Sequence, residues 1–166
     1  MIKTLSLYTG LCASASLFAN GKVLAATHEE RFTRKKNDEV FPRNAIDYCF
    51  RETGFNSSDL DGVAIASFVS PFDHTLLRWS QWSVDDYLKE QNQRWYPYLI
   101  KKSGELKSPL EIFPEKIDFD LYPSEYWQKT YQDQDRNERY SKDRMQIVAD
   151  YLNIDVSKVY RIDHHR

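Results

Sequence analysis

The chain has 166 residues, 41% of them hydrophobic and 29% charged, with a formal net charge of -2. This is the composition of an ordinary globular domain, and its near-neutral balance gives no electrostatic reason to expect nucleic acid or an acidic membrane as partner. Two cysteines, Cys12 and Cys49, do not make a disulfide framework, no run is apolar enough to span a bilayer, and a reduced, cytoplasmic setting is the expectation.

Met1-Ile2-Lys3 and the apolar run to Ala19 have the outline of a signal peptide. Tyr8, Thr9 and Gly10 interrupt that run, and it continues past a turn into Val23-Leu24-Ala25-Ala26, so core strands are expected instead. Ile2 to Tyr8 reads as the first strand. Ser14 to Ala19 and Lys22 to Thr27 flank Asn20-Gly21, the strongest short hairpin signal, because both turn positions need positive φ. The block Glu29 to Asp38 is densely charged without periodicity and reads as an exposed loop or a short helical turn. Phe41-Pro42 introduces a helix to Thr53, with Ala45, Ile46, Cys49 and Phe50 at helical spacing and Gly54 as the stop. After a turn at Ser57 to Asp61, Gly62 to Phe68 has the pattern of a buried strand. Strand-strand-strand-helix-strand is the order of a mixed α/β sheet with an antiparallel hairpin and one parallel crossover.

From Pro71 to Arg136 the sequence turns aromatic and polar, and prolines at 97, 109, 114 and 123 break it into short pieces. His74 to Asn92 and Ser124 to Gln132 read as helical. This stretch is expected to be an insertion into the α/β core, packed by its own aromatics rather than presenting Trp79 and Trp95 as a sugar-stacking platform. A helix over Ser141 to Asn153, with Met145, Val148, Ala149 and Leu152 on one face, leads to a short strand Val159 to Ile162. That strand enters Asp163-His164-His165-Arg166. The domain plan is therefore core over 1–70, insertion over 71–136 and return to the core over 137–166.

Two histidines at a strand end can present an imidazole to a metal, but adjacent side chains point apart, and no second ligand at helical spacing precedes them. Arg31, Arg34, Lys35 and Lys36 could meet phosphate or carboxylate oxygens, or form a solvated charged loop. Cys12 has no neighbouring histidine to activate it, and Cys49 reads as core.

Two segments are more specific together. Gly21-Lys22-Val23-Leu24-Ala25-Ala26-Thr27-His28-Glu29-Glu30-Arg31-Phe32-Thr33-Arg34-Lys35-Lys36-Asn37-Asp38 with Phe41-Pro42-Arg43-Asn44-Ala45-Ile46, and later Ile162-Asp163-His164-His165, resemble the O-carbamoyltransferase family of the nodulation-protein, cephalosporin and tobramycin type. The resemblance implies an actin/hexokinase/RNase H-like (Kae1-like) mixed sheet. It implies an enzyme that makes carbamoyl adenylate from carbamoyl phosphate and ATP and passes the carbamoyl group to a hydroxyl of a sugar or natural product. It implies a divalent metal, iron or zinc, with His164 as one ligand and a second histidine beyond the last residue given. It further implies Arg34, Lys36 and Ser14 at the adenylate or carbamoyl phosphate, and a C-terminal YrdC-like domain of the same parent chain as partner beside the small-molecule substrates. The chain reads as a piece cut inside that histidine motif and inactive alone.

The sequence also departs from the family pattern. The His-Asp pair expected ahead of Ser14 is Leu11-Cys12 here, and the histidine of the family's Lys-His-Asp is Asn37. These departures motivate an alternative, a catalytically inactive Kae1-like module that binds nucleotide or a partner.

Overall fold

The structure, a computed structural model, describes residues 1–10, 12–38, 40–66, 72–77, 82–117, 119 and 125–162. The chain divides into two compact units, Met1–Val69 with Lys142–Arg166, and Ser70–Ser141.

The first unit is built on a five-stranded sheet. β1 (Lys3–Tyr8), β2 (Ser14–Ala19) and β3 (Lys22–His28) form an antiparallel meander. The turn between β2 and β3 has Asn20 at φ 48° and Gly21 at φ 75°, the two positive values a tight hairpin turn requires. A short helical turn, α1 (Glu30–Thr33), follows β3, and then α2 (Arg43–Thr53), which ends on Gly54 at φ 70°. β4 (Gly62–Ala66) returns to lie parallel to β1, and β5 (Val159–Ile162) lies parallel to β4. The strand order is β3-β2-β1-β4-β5. The first seventy residues thus hold the one parallel crossover their pattern predicted, β1 to β4, and β5 adds a second parallel pairing at β4. A mixed sheet opened by an antiparallel hairpin is the fold class expected from the resemblance.

Alternation decides which face of the sheet is covered. Ala25, Leu17, Leu5, Val63 and Val159 stand opposite one another in a row that crosses all five strands, and each is buried. Ala45, Ile46 and Cys49 of α2 cover this face together with Val148, Ala149 and Leu152 of α7 (Arg136–Leu152). Each large aliphatic side chain buried this way contributes about 1.5–3 kcal/mol.

The second unit is helical. It holds α3 (Phe72–Thr75), α4 (Val84–Glu90), α5 (Pro109–Ile112), α6 (Glu125–Tyr131) and the Arg136–Ser141 start of α7. Among the described residues, the stretch His74 to Asn92 predicted as helical carries two separate helices, α3 and α4, with a bridge from Leu77 to Ile117 between them. α4 continues as a π-helix over Gln91–Ile100 with Pro97 inside it. Proline lacks the N–H that an α-helical turn needs there. The wider turn carries the helix past it, and Lys101 N–H donates to Tyr96 O, five residues back, at 3.1 Å. The aromatics of this unit fill its core. Phe72 stacks on Trp127 at 5.7 Å and Trp82 meets Phe113 at 4.5 Å, around Leu76, Leu77, Leu110 and Ile112.

Candidate functional site

The charged block after β3 is not a simple solvated loop. Glu29 is only 2% exposed, against the expectation for a carboxylate in such a run. Its burial follows from how α2 begins. The first amides of a helix have no partner within it, and Pro42, which occupies the cap position, supplies no side-chain acceptor. Glu29 supplies it instead. Its Oε1 accepts the backbone N–H of Asn44 at 3.2 Å and the Asn44 side-chain amide at 2.5 Å, and its Oε2 accepts Ala45 N–H at 2.8 Å. A buried negative charge at a helix N-terminus is also favoured by the helix dipole.

Glu30 turns the other way, its Oε2 accepting Asn37 N–H at 3.0 Å. The paired glutamates therefore hold the block at both ends, one on α2 and one on its own return. The block is also tied to the β1–β2 corner by backbone bonds: Glu29 N–H to Ala13 O at 2.8 Å and Ala13 N–H to Asp38 O at 3.0 Å. At that corner Cys12 has φ 66°, a left-handed conformation that costs a non-glycine residue about 1–2 kcal/mol. Its thiol donates to Asn37 Oδ1 at 3.3 Å. From α7, the Arg144 guanidinium donates to Thr9 Oγ1 at the same corner.

Ser14 begins β2, half-buried, opposite Tyr8 and His28. Arg34 ends α1 in a left-handed conformation, φ 61°, and both Arg34 and Lys36 are exposed. Neither makes a side-chain hydrogen bond or ion pair among the described residues. Their charges are thus free for an anionic ligand. Ser14 and the basic pair belong to segments joined through Ala13, Glu29 and Asp38.

His164 and His165 lie outside the described residues. Among the described residues no three His, Cys, Asp or Glu side chains come together to hold a metal ion. The described residues by themselves thus supply no metal centre, and no step is assigned to one. Leu11 also lies outside the described residues.

Beyond the block, Arg43 lies over the rings of Tyr151 and Phe41 at 5.1 and 5.6 Å, and the two rings meet edge-on at 4.9 Å. Burial, then the nearby charge of Asp47, push the Tyr151 hydroxyl above its ordinary range. The anchoring role of Glu29 escaped the sequence reading. Its signal was a helix starting on proline, with no capping side chain of its own, behind a run rich in acids.

Among the described residues no helix is long and apolar enough to cross a membrane. The uncharacterized protein sll1178 of Synechocystis is 45% identical over 51 residues, which cover 31% of this chain and 8% of that protein. The nodulation protein NolNO of Sinorhizobium fredii is 41% identical over 51 residues, again 31% of this chain and 8% of the relative. The uncharacterized protein MJ1051 of Methanocaldococcus jannaschii is 49% identical over 43 residues, 24% of this chain and 8% of the relative. The chain thus matches these relatives over less than a tenth of their length. The family model described as carbamoyltransferase N-terminus matches residues 7–165, nearly the whole chain, and the chain belongs to that family.

Proposed function

We propose that this chain is the Kae1-like module of a carbamoyltransferase-type protein and that it binds nucleotide or a partner without turnover of its own. One observation carries this reading. The sequence departs from the family's pattern at Leu11-Cys12 and at Asn37, and two of these residues meet in space, Cys12 donating to Asn37 at 3.3 Å. Where the family pattern has two histidines and an aspartate, this corner pairs a thiol with a carboxamide. A carboxamide does not take up a proton in the working range, so it cannot serve as the general base that hydroxyl transfer requires. The exposed Arg34 and Lys36, unpaired among the described residues, remain suited to a nucleotide's phosphates.

The test uses the full-length protein that carries this chain. Calorimetry with ATP should show binding that weakens when Arg34 and Lys36 are both replaced by alanine. The same protein given ATP and carbamoyl phosphate should release no AMP in response to sugar acceptors. Acceptor-dependent AMP with a carbamoylated product would overturn the reading, as would an absence of both nucleotide and partner binding.

A second reading is favoured by the retained Glu29-anchored basic block. In it the parent protein transfers a carbamoyl group from carbamoyl phosphate, through carbamoyl adenylate, to a hydroxyl of a sugar or natural product. The acceptor oxygen attacks the carbamoyl carbon, its bond to the phosphate oxygen breaks, AMP leaves, and a base takes the hydroxyl proton. Arg34 and Lys36 would steady the charge on the departing AMP, with Ser14 at the adenylate. That reading places the adenylate-forming step in a YrdC-like domain of the parent chain, the second unit as an insertion, and a divalent iron or zinc at His164. The acceptor assay separates the two readings.

A further inference from the structure

The second unit carries a depression of about 360 Å³ lined by Leu110, Glu111, Tyr131 and Arg136. Three helix ends meet there: α5 gives Leu110 and Glu111, α6 closes on Tyr131, and α7 opens on Arg136. Arg136 is fixed from behind. Its Nε donates to Asp73 Oδ1 at 2.7 Å and its Nη2 to Asp73 Oδ2 at 3.3 Å, while Ser108 Oγ also donates to Asp73. Asp73 is buried, and its side chain is only 7% exposed. The guanidinium is therefore preorganised on one edge. Its Nη1 makes no hydrogen bond among the described residues and adds free donors at the depression. Glu111 has one oxygen occupied by Ser108 N–H at 3.4 Å, which leaves the other to accept. Tyr131 is held by Phe119, ring centroids 5.4 Å apart, and Leu110 is 4% exposed.

We infer that this depression binds a neutral, ring-shaped polyol through two adjacent hydroxyls. A guanidinium edge offers donors only, and a carboxylate offers acceptors only. Vicinal hydroxyls meet both at once, one oxygen accepting from the guanidinium while its neighbour donates to the carboxylate. Two carboxylates stand against one guanidinium, so an added anion meets net repulsion. The Tyr131 ring and Leu110 suit the C–H face of a saturated ring. The inference concerns only the second unit and does not depend on the nucleotide reading.

Amide-resolved NMR titrations of the whole chain test it, with trans-1,2-cyclohexanediol, methyl glucoside, cyclohexanol and sulfate as probes. The diol and the glucoside should give saturable shifts at Leu110, Glu111, Tyr131 and Arg136, and cyclohexanol and sulfate should not. Glu111→Gln should weaken the diol about tenfold, the loss of one charge-assisted hydrogen bond. The spectrum reports the fold of the variant directly, and Glu111→Asp, which keeps the charge and retracts it, repeats the point if glutamine disturbs the Ser108 cap. Equal binding of cyclohexanol, tighter binding of sulfate, no saturable shift, or unchanged affinity in both Glu111 variants would each overturn the inference.

Discussion

The buried carboxylate of Glu29 receives the backbone N–H of Ala45 at 2.8 Å, sixteen residues away in sequence. One side chain thus starts α2 and fixes the charged block against the sheet. Glu29→Ala should cost about 2–4 kcal/mol, because it strips a charged acceptor from the buried Ala45 amide and the part-buried amides of Asn44. Glu29→Gln should cost about half that, since the carboxamide keeps one acceptor. Hydrogen exchange of the Asn44 and Ala45 amides is the direct measure. Protection unchanged in the alanine variant would contradict the anchoring role.

Glu90 and Arg94 form an ion pair at 3.1 Å with side chains 9% and 8% exposed, and Arg94 Nε also donates to Lys107 O at 2.9 Å. Removing one partner leaves a buried charge without compensation, so Glu90→Ala should destabilise the second unit by about 3–5 kcal/mol. The double replacement Glu90→Leu with Arg94→Met should be milder than either single change, because both charges leave together. All four tryptophans lie in the second unit. Tryptophan fluorescence during urea unfolding therefore reads this unit alone, and a double variant weaker than both singles would count against the pairing.

Asp86 gives the start of α4 a pH dependence of known sign. Its carboxyl is held at about 2, below the ordinary 3.8, first by Ser83 N–H, then by Lys116 and the Ser83 hydroxyl. The lowered value means that the contribution is present above 3.8 and disappears as pH falls through about 2. The Ser83 and Asp86 amides should lose protection over that window in the native chain. Asp86→Asn should show weaker protection at neutral pH and a flat response to acid; an acid response equal to that of the native chain would show that another group titrates.

The two cysteines should differ sharply in reactivity. Cys49 is fully buried, its thiol donates to Ala15 O at 3.6 Å, and burial pushes it up to about 11. Since the thiolate is the nucleophile, iodoacetamide at mildly alkaline pH should modify the half-exposed Cys12 and reach Cys49 only on unfolding. The raised value also means that the contribution of Cys49 is intact below its ordinary 9 and erodes as pH rises through about 11. Mass mapping of the labelled peptides decides the first point, and rapid labelling of Cys49 in the folded chain would disprove it.

Much of the first unit was legible because its determinants are local. Asn20-Gly21 dictated a hairpin, Gly54 stopped α2, and Val159 to Ile162 formed the strand its β-branched pattern suggested. What escaped depends on partners far away in sequence. No periodicity shows that β5 pairs with β4, or that Glu29 leaves a charged run to cap α2. The π-helix around Pro97 was illegible for another reason: proline signals a break, and only tertiary packing decides whether the helix widens instead. At the site, the residue types Ser14, Arg34 and Lys36 could be named from the resemblance. The contact between Cys12 and Asn37 could not, because it depends on two left-handed residues twenty-five positions apart.

The row Ala25, Leu17, Leu5, Val63 and Val159 has a kinetic consequence. Its last member enters the sheet beside Val63, and the entire second unit, Ser70–Ser141, lies between them in the chain. During synthesis the second unit is continuous and can pack as soon as it has emerged. The sheet must wait with an open β4 edge until β5 is made, and closing so long a loop slows the step. Over that interval the β4 edge is open to wrong strand pairing, and the speed of its closure by β5 sets how long that exposure lasts.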